Sequence, residues 1–278
     1  MFKKLLLPVI MSFSFFINAS DYSLLENPFA ALRLITQESE FNEIPAIRTD
    51  AYDYLGNTTQ HEGKTRIIFV RHGESNSNAE KSIAGRTLDS DLSSFGLLQA
   101  QAVGNRFLEL DLHFDEVYSS PMTRAMKTAR LAYPSHEKAL NIDERLHEKW
   151  YGPFEGANAD IYHAVVKKEE IEIPQLKTFA EKFSYKADPG MESSYEVYAR
   201  VCEFIDDVES KHHGKNILVG SHGGLMKALF MADAALNGYL IEYRSFDLEN
   251  CGIIVSEIDY CGAMQVVATR GVKFLKKK

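Results

Sequence analysis

The sequence predicts an α/β fold: a three-layer sandwich whose mostly parallel central sheet carries helices on both faces, with a small helical cap insertion. Two observations predict it. Short apolar, β-branched runs alternate with segments of helical periodicity, the pattern of sheets built from strand–helix–strand units. The 278-residue chain is 45% hydrophobic and 25% charged, as ordinary globular domains are, which excludes a disordered tail, a collagen-like repeat and a polytopic membrane protein.

In chain order, residues 1–20 read as an export signal: Lys3 and Lys4 precede an apolar run over 5–17, and Ala19 and Ser20 are small residues suited to cleavage. That run is shorter than the roughly 20 residues a membrane-spanning helix needs. The expectation is an exported protein, periplasmic or secreted if bacterial, with no stable membrane insertion after signal cleavage. Residues 21–63 are punctuated by Pro28, Pro45, Gly56 and Gly63 and read as an irregular arm on the main domain, with one short helix near 29–35.

The main domain, 64–278, opens with a buried strand over 66–70. Ser93 caps a helix to about Leu110, with Leu97, Ala100, Val103 and Phe107 at helical spacing. A strand over 116–119 follows, then Ser120 as a cap and Pro121 in the first turn of a helix to about Tyr133. A third strand falls at 140–142, and 157–190 is the cap insertion. Ser193 and Glu196 form a capping box for a helix whose apolar side is Val197, Val201, Phe204, Ile205 and Val208. A strand over 216–220, a helix over 224–236 and a hairpin of 252–258 with 263–269 complete the domain.

Charge narrows the partners. Lys and Arg total 31 against 39 Asp and Glu, a net charge of −8, so the surface repels nucleic acid. An anionic substrate must be drawn by a local cationic cluster. Cys202, Cys251 and Cys261 are too few for a disulfide scaffold, show no metal-ligand spacing, and read as small buried hydrophobes.

Two buried strands end alike, in Arg71-His72-Gly73 and in Ser221-His222-Gly223. Ligands of open α/β sheets sit at the carboxyl ends of strands, so both imidazoles are placed at one crevice. Arg124 falls in the first turn of the helix after Pro121. A cation is disfavoured at that end of a helix unless an anion joins it, so the three residues together imply a phosphate site.

Arg71-His72-Gly73-Glu74-Ser75 resembles the signature of the histidine phosphatase superfamily, in its phosphoglycerate-mutase-like branch. The resemblance continues in order with Asn78, Gly85 to Asp89, Leu92-Ser93 and Gly96. It extends through Ser119-Ser120-Pro121, Arg124-Ala125, Thr128-Ala129, Glu148, Tyr151-Gly152 and Glu155-Gly156. Pro189-Gly190, Glu192-Ser193 and Ser221-His222-Gly223-Gly224 complete the set. It implies a metal-independent, cofactor-free enzyme acting on a small phosphorylated substrate. By position it makes His72 the phosphoryl-accepting nucleophile, Arg71, Arg124 and His222 the phosphoryl clamp, and Glu148 the acid that protonates the leaving alcohol. Asn78, Arg86 and Gly223 are candidate substrate contacts, Arg86 by proximity in sequence alone, and Glu155 is the second candidate acid.

Cations around His72 keep it neutral and nucleophilic, and a carboxyl group facing a bound phosphate is favoured in its proton-donating form. Mutases of this family carry further basic residues after the Glu-x-x-Tyr-Gly motif to hold a second acidic group. Between Gly156 and Gly190 this chain has no arginine, and Lys149 stands where the mutases have arginine. Export points the same way, because glycolytic intermediates are cytosolic. The expected activity is a phosphatase, the alternative a phosphoglycerate-type mutase. A non-catalytic phosphoryl-binding protein is the third reading, and the presence of His72, Arg124 and His222 speaks against it.

Overall fold

The computed structural model describes residues 49–58, 63–133, 135, 137–162, 164–165, 178–237, 245–259 and 262–275. Its centre is a six-stranded sheet in the order β3-β2-β4-β1-β5-β6. The strands β1 (Thr65–Arg71), β2 (Glu116–Ser119), β3 (Leu140–Ile142) and β4 (Asn216–Ser221) run parallel. A hairpin of β5 (Phe246–Ile258) and β6 (Met264–Phe274) is added antiparallel beside β1. The sheet is mostly parallel, as its apolar, β-branched strands predict.

The period-two alternation of β1 feeds both layers. Ile68 and Val70 join a core with helices α3 (Ser94–Glu109) and α4 (Thr123–Ala132), while Ile67 and Phe69 pack with α6 (Ser194–Lys211) and α7 (Gly223–Leu236). The helices α3 and α7, which follow β1 and β4, therefore cover opposite faces. The carboxyl ends of these adjacent strands form the crevice at which a doubly wound sheet binds ligands.

Four local expectations change. Helix α1 (Ala51–Asn57), capped by the Asp50 carboxylate, lies within the stretch read as irregular, and its Ala51 and Leu55 enter the core beside β6. In α3 the buried face is Gly96, Ala100, Val103, Gly104 and Phe107, and Leu97 is 41% exposed. The face is rotated because α3 meets α4 at Gly104, where a Cβ would stand 2.2 Å from the Leu131 carbonyl. Helix α4 starts at Thr123, not Pro121, and lacks a side-chain cap of its own. Strand β5 begins at Phe246, six residues before the expected start, because a register break between Leu248 and Ile253 interrupts its alternation.

Two short helices complete the set: α2 (Asn76–Ala79), after the β1 turn, and α5 (Phe179–Ser184), whose Phe179 and Phe183 are buried in the core beside α6. Cys202 and Cys251 are free thiols, and burial pushes each up to about 12. Cys251 lies inside β5. Among the described residues no helix is long and apolar enough to cross a membrane. Residues 1–20, read as an export signal, the helix expected near 29–35, Cys261 and residues 166–177 of the expected cap insertion lie outside the described residues.

Candidate active site

Each parallel strand delivers part of one site. β1 and β4 pair in register with Arg71 opposite Ser221, and the His72 N–H donates to the Ser221 carbonyl at 2.9 Å. The two strand–His–Gly turns are therefore neighbours, with imidazole centroids 5.3 Å apart. β2 leads through Ser119 and Ser120 to Arg124 in α4, and β3 leads through a 3-10 turn (Glu144–Leu146) to Glu148.

His72 is buried, and its Nδ1 lies 2.7 Å from the Gly73 carbonyl. A carbonyl only accepts, so Nδ1 carries the proton and Nε2 keeps its lone pair. Burial first, then Arg124 and Arg71, hold this imidazole well below the usual histidine range, so it stays neutral. The turn behind it is crowded. A Cβ on Gly73 would stand 2.4 Å from the Gly96 carbonyl, and one on Gly96 would stand 2.0 Å from the Glu74 carbonyl. Glycine at both positions lets the His72 turn dock on the start of α3, where the Ser93 hydroxyl donates to Glu74 at 2.7 Å.

Arg124 is fully buried, and burial lowers its pKa. Its Nη2 donates to the carbonyls of Gly85 at 3.0 Å and Ala84 at 3.4 Å, and its Nη1 to that of Leu88 at 3.4 Å. Asp89 stands 3.6 Å from Nη1 and accepts from the Thr123 N–H at 3.1 Å, taking the place of a cap on α4. The expected cap, Ser120, is engaged elsewhere: its Oγ lies 2.8 Å from His222 Nε2. Ser120 Oγ also accepts from the Met122 N–H, and when its own proton points to Nε2 the Nδ1–H is left as the donor of His222. Burial first, then Arg124 and His72, hold His222 well below the usual range.

Arg71 donates through Nη1 to the Leu248 carbonyl on the irregular stretch of β5. Among the described residues, Arg71 Nε, Arg124 Nε and His222 Nδ1 are buried without a hydrogen-bond partner. Buried polar groups left unpaired cost about 1–3 kcal/mol each, and two guanidinium donors with His222 Nδ1 beside a neutral imidazole suit an anionic ligand.

Glu148 is buried and accepts from the N–H groups of Lys149 at 2.7 Å, Gly224 at 3.2 Å and Leu225 at 3.3 Å. It thereby serves the first turn of α7, where His222 provides no side-chain cap. Gly224 permits the approach, since a Cβ there would lie 2.5 Å from Glu148 Oε1. Glu148 also heads the charged groups that act on Arg124. Arg200 fixes this segment from behind: it pairs with Glu192 at 2.9 Å and donates to the Glu148 carbonyl at 3.3 Å.

The candidate substrate contacts divide. Asn78 places Oδ1 on the Ser75 N–H and the Asn250 amide, both at 3.2 Å. Gly223 lies against Arg71, whose Nε would be 3.1 Å from a Cβ at that position. Arg86 is exposed, and among the described residues no contact joins its guanidinium to the His72 cluster. Asn250 was not legible from the sequence. It lies about 180 residues from His72 in the chain, yet donates to the His72 carbonyl at 3.2 Å. Gln99, whose side chain accepts from the Glu74 N–H at 2.8 Å, was equally hidden.

A sheet with its crevice at these strand ends, two neighbouring His–Gly turns and a buried arginine define a phosphoryl-handling α/β protein. The chain belongs to the histidine phosphatase superfamily (branch 1), whose family model matches residues 67–269. It is 34% identical over 189 residues to a candidate phosphoserine phosphatase of Hydrogenobacter thermophilus, covering 68% of this chain and 87% of that one. A phosphoglycerate mutase-like protein of Arabidopsis thaliana is 33% identical over 191 residues, with 65% and 80% coverage. The crystal structure of phosphoglycerate mutase from Bacillus anthracis superposes with a TM-score of 0.60 at 25% identity, covering 74% of this chain and 92% of that one.

Proposed function

We propose that the protein is a phosphatase that hydrolyses a small phosphomonoester through a phosphohistidine on His72. The observation that carries this reading is the neutral His72, its Nε2 lone pair free, among the unpaired donors of Arg71, Arg124 and His222. Nε2 attacks phosphorus as the ester P–O bond breaks, and the leaving oxygen takes a proton from Glu148. Water then attacks the phosphohistidine and gives a proton to Glu148. The P–N bond breaks, its electron pair returns to Nε2, and inorganic phosphate leaves. The cations stabilise charge on the equatorial oxygens in both steps.

The phosphatase reading is favoured over the mutase by the absence of arginine between Gly156 and Gly190. Phosphate release from a panel of phosphomonoesters tests it. Turnover dependent on a bisphosphoglycerate primer, with monophosphoglycerate as substrate and no net phosphate release, is the mutase result. We also propose export, on the character of residues 1–20. N-terminal sequencing of protein from a fractionated bacterial host checks it, and an intact Met1 in the cytosolic fraction contradicts it.

A further inference from the structure

Glu155, the second candidate acid, is held in a way that gives it a different task. Its Oε1 accepts from the N–H groups of Arg86 at 2.8 Å and Tyr151 at 3.3 Å. Its Oε2 accepts from the N–H groups of Thr87 at 2.8 Å and Leu88 at 3.0 Å, and from the Thr87 hydroxyl. One carboxylate therefore gathers three consecutive amides of the 84–88 loop. The carbonyls of that loop, on Ala84, Gly85 and Leu88, are the ones that receive the Arg124 guanidinium. The contact is tight at Gly85, where a Cβ would stand 2.1 Å from Glu155 Oε1. Beyond it, residues 156–159 zip against 81–83, with the Gly156 N–H on the Ile83 carbonyl at 2.8 Å and the Ala159 N–H on that of Lys81 at 2.7 Å.

We infer that Glu155 is a positioning residue for Arg124: it organises the 84–88 loop so that its carbonyls fix the guanidinium and aim the remaining donors at the phosphoryl group. The loop presents its 86–88 amides to Glu155 and its 84, 85 and 88 carbonyls to Arg124, so loosening one side loosens the other. Its carboxylate oxygens accept five donors, which leaves no place for a proton. Burial raises its pKa, but the bonds from the Thr87 hydroxyl and the backbone amides outweigh that and hold it below the usual carboxylate range. A buried guanidinium has many ways to turn away from a ligand, and fixing it in advance removes that cost from binding.

This inference rests on a phosphoryl site at His72, and its test separates the two. Inorganic phosphate binding is measured by calorimetry, and turnover with an alkyl phosphate and with p-nitrophenyl phosphate, for wild type, Glu155→Gln and the milder Thr87→Ala. The expected result is phosphate affinity weakened about tenfold or more in Glu155→Gln and less in Thr87→Ala. KM should rise by the same factor for both leaving groups. Unchanged phosphate affinity in both variants overturns the inference, as does a loss confined to the alkyl phosphate, which would make Glu155 a proton donor. Should Glu155→Gln fail to fold by circular dichroism, Thr87→Ala alone decides. A wild type that binds phosphate but turns over neither ester contradicts the phosphatase reading and leaves the binding comparison intact.

Discussion

The two strand–His–Gly turns are near-copies in sequence and opposites in chemistry. Both imidazoles are buried at the ends of adjacent parallel strands, and both are held neutral by burial and Arg124. His72 gives its Nδ1 to the next carbonyl along the chain and keeps Nε2 free. His222 gives its Nε2 to Ser120 and keeps Nδ1 free. In the proposed reaction this difference makes His72 the nucleophile and His222 a donor to the phosphoryl group.

Removing each imidazole breaks the comparison most sharply. His72→Ala should lower kcat by roughly 10⁴-fold or more, because no other group in the site takes up the phosphoryl group. Next in size, Glu148→Gln should lower kcat roughly 10²–10⁴-fold for an alkyl phosphate and far less for p-nitrophenyl phosphate, whose leaving group scarcely needs a proton. Equal losses for the two would show that Glu148 holds α7 and the substrate rather than donating. His222→Ala should cost roughly 10²–10³-fold, as the loss of one donor to the transition state does, while still forming the phosphoenzyme. Ser120→Ala leaves both histidines in place and frees the His222 tautomer. A loss of about tenfold is expected in steady-state kinetics, against none if Ser120 is only a turn residue.

What the turns share bears on stability rather than on rate. Each histidine has a folded pKa well below its unfolded value of about 6.5. As pH falls through 6.5 the unfolded chain takes up protons that the folded chain refuses. Their contribution to stability is therefore complete above about pH 6.5 and is lost toward the depressed folded values. Two such groups give a limiting slope of about 2.7 kcal/mol per pH unit. Asp233 opposes them: burial raises it to about 7, so its share of stability is lost as pH rises from the carboxylate range to 7. Denaturant melts between pH 5 and 7 of wild type and His222→Asn isolate the histidine term, and the variant should show the shallower fall. Parallel curves would contradict it.

The sheet and its crevice were legible because contiguous apolar runs such as Ile67 to Val70 report burial without any knowledge of their partners. The His–Gly turns were legible because they sit at the ends of those runs. What failed to show depends on contacts between distant segments. Ser120 looks like a helix cap until His222, 102 residues away, takes its hydroxyl. Leu97 fits the helical period, but Gly104 sets which face of α3 meets α4. The register break in β5 hid the strand start and Asn250 together, since alternation ends where the backbone turns toward His72. The local sequence around Glu155 gave no sign of its task, which is carried by backbone amides 67–69 residues away.

The division of labour between the two histidines is tested most directly by rapid-quench trapping with a radiolabelled phosphomonoester, worked up under alkaline conditions that preserve phosphohistidine. Label is expected on Nε2 of His72 in wild type, slower but detectable labelling of the same residue in His222→Ala, and none in His72→Ala. Label on His222, or full turnover by His72→Ala, would contradict it.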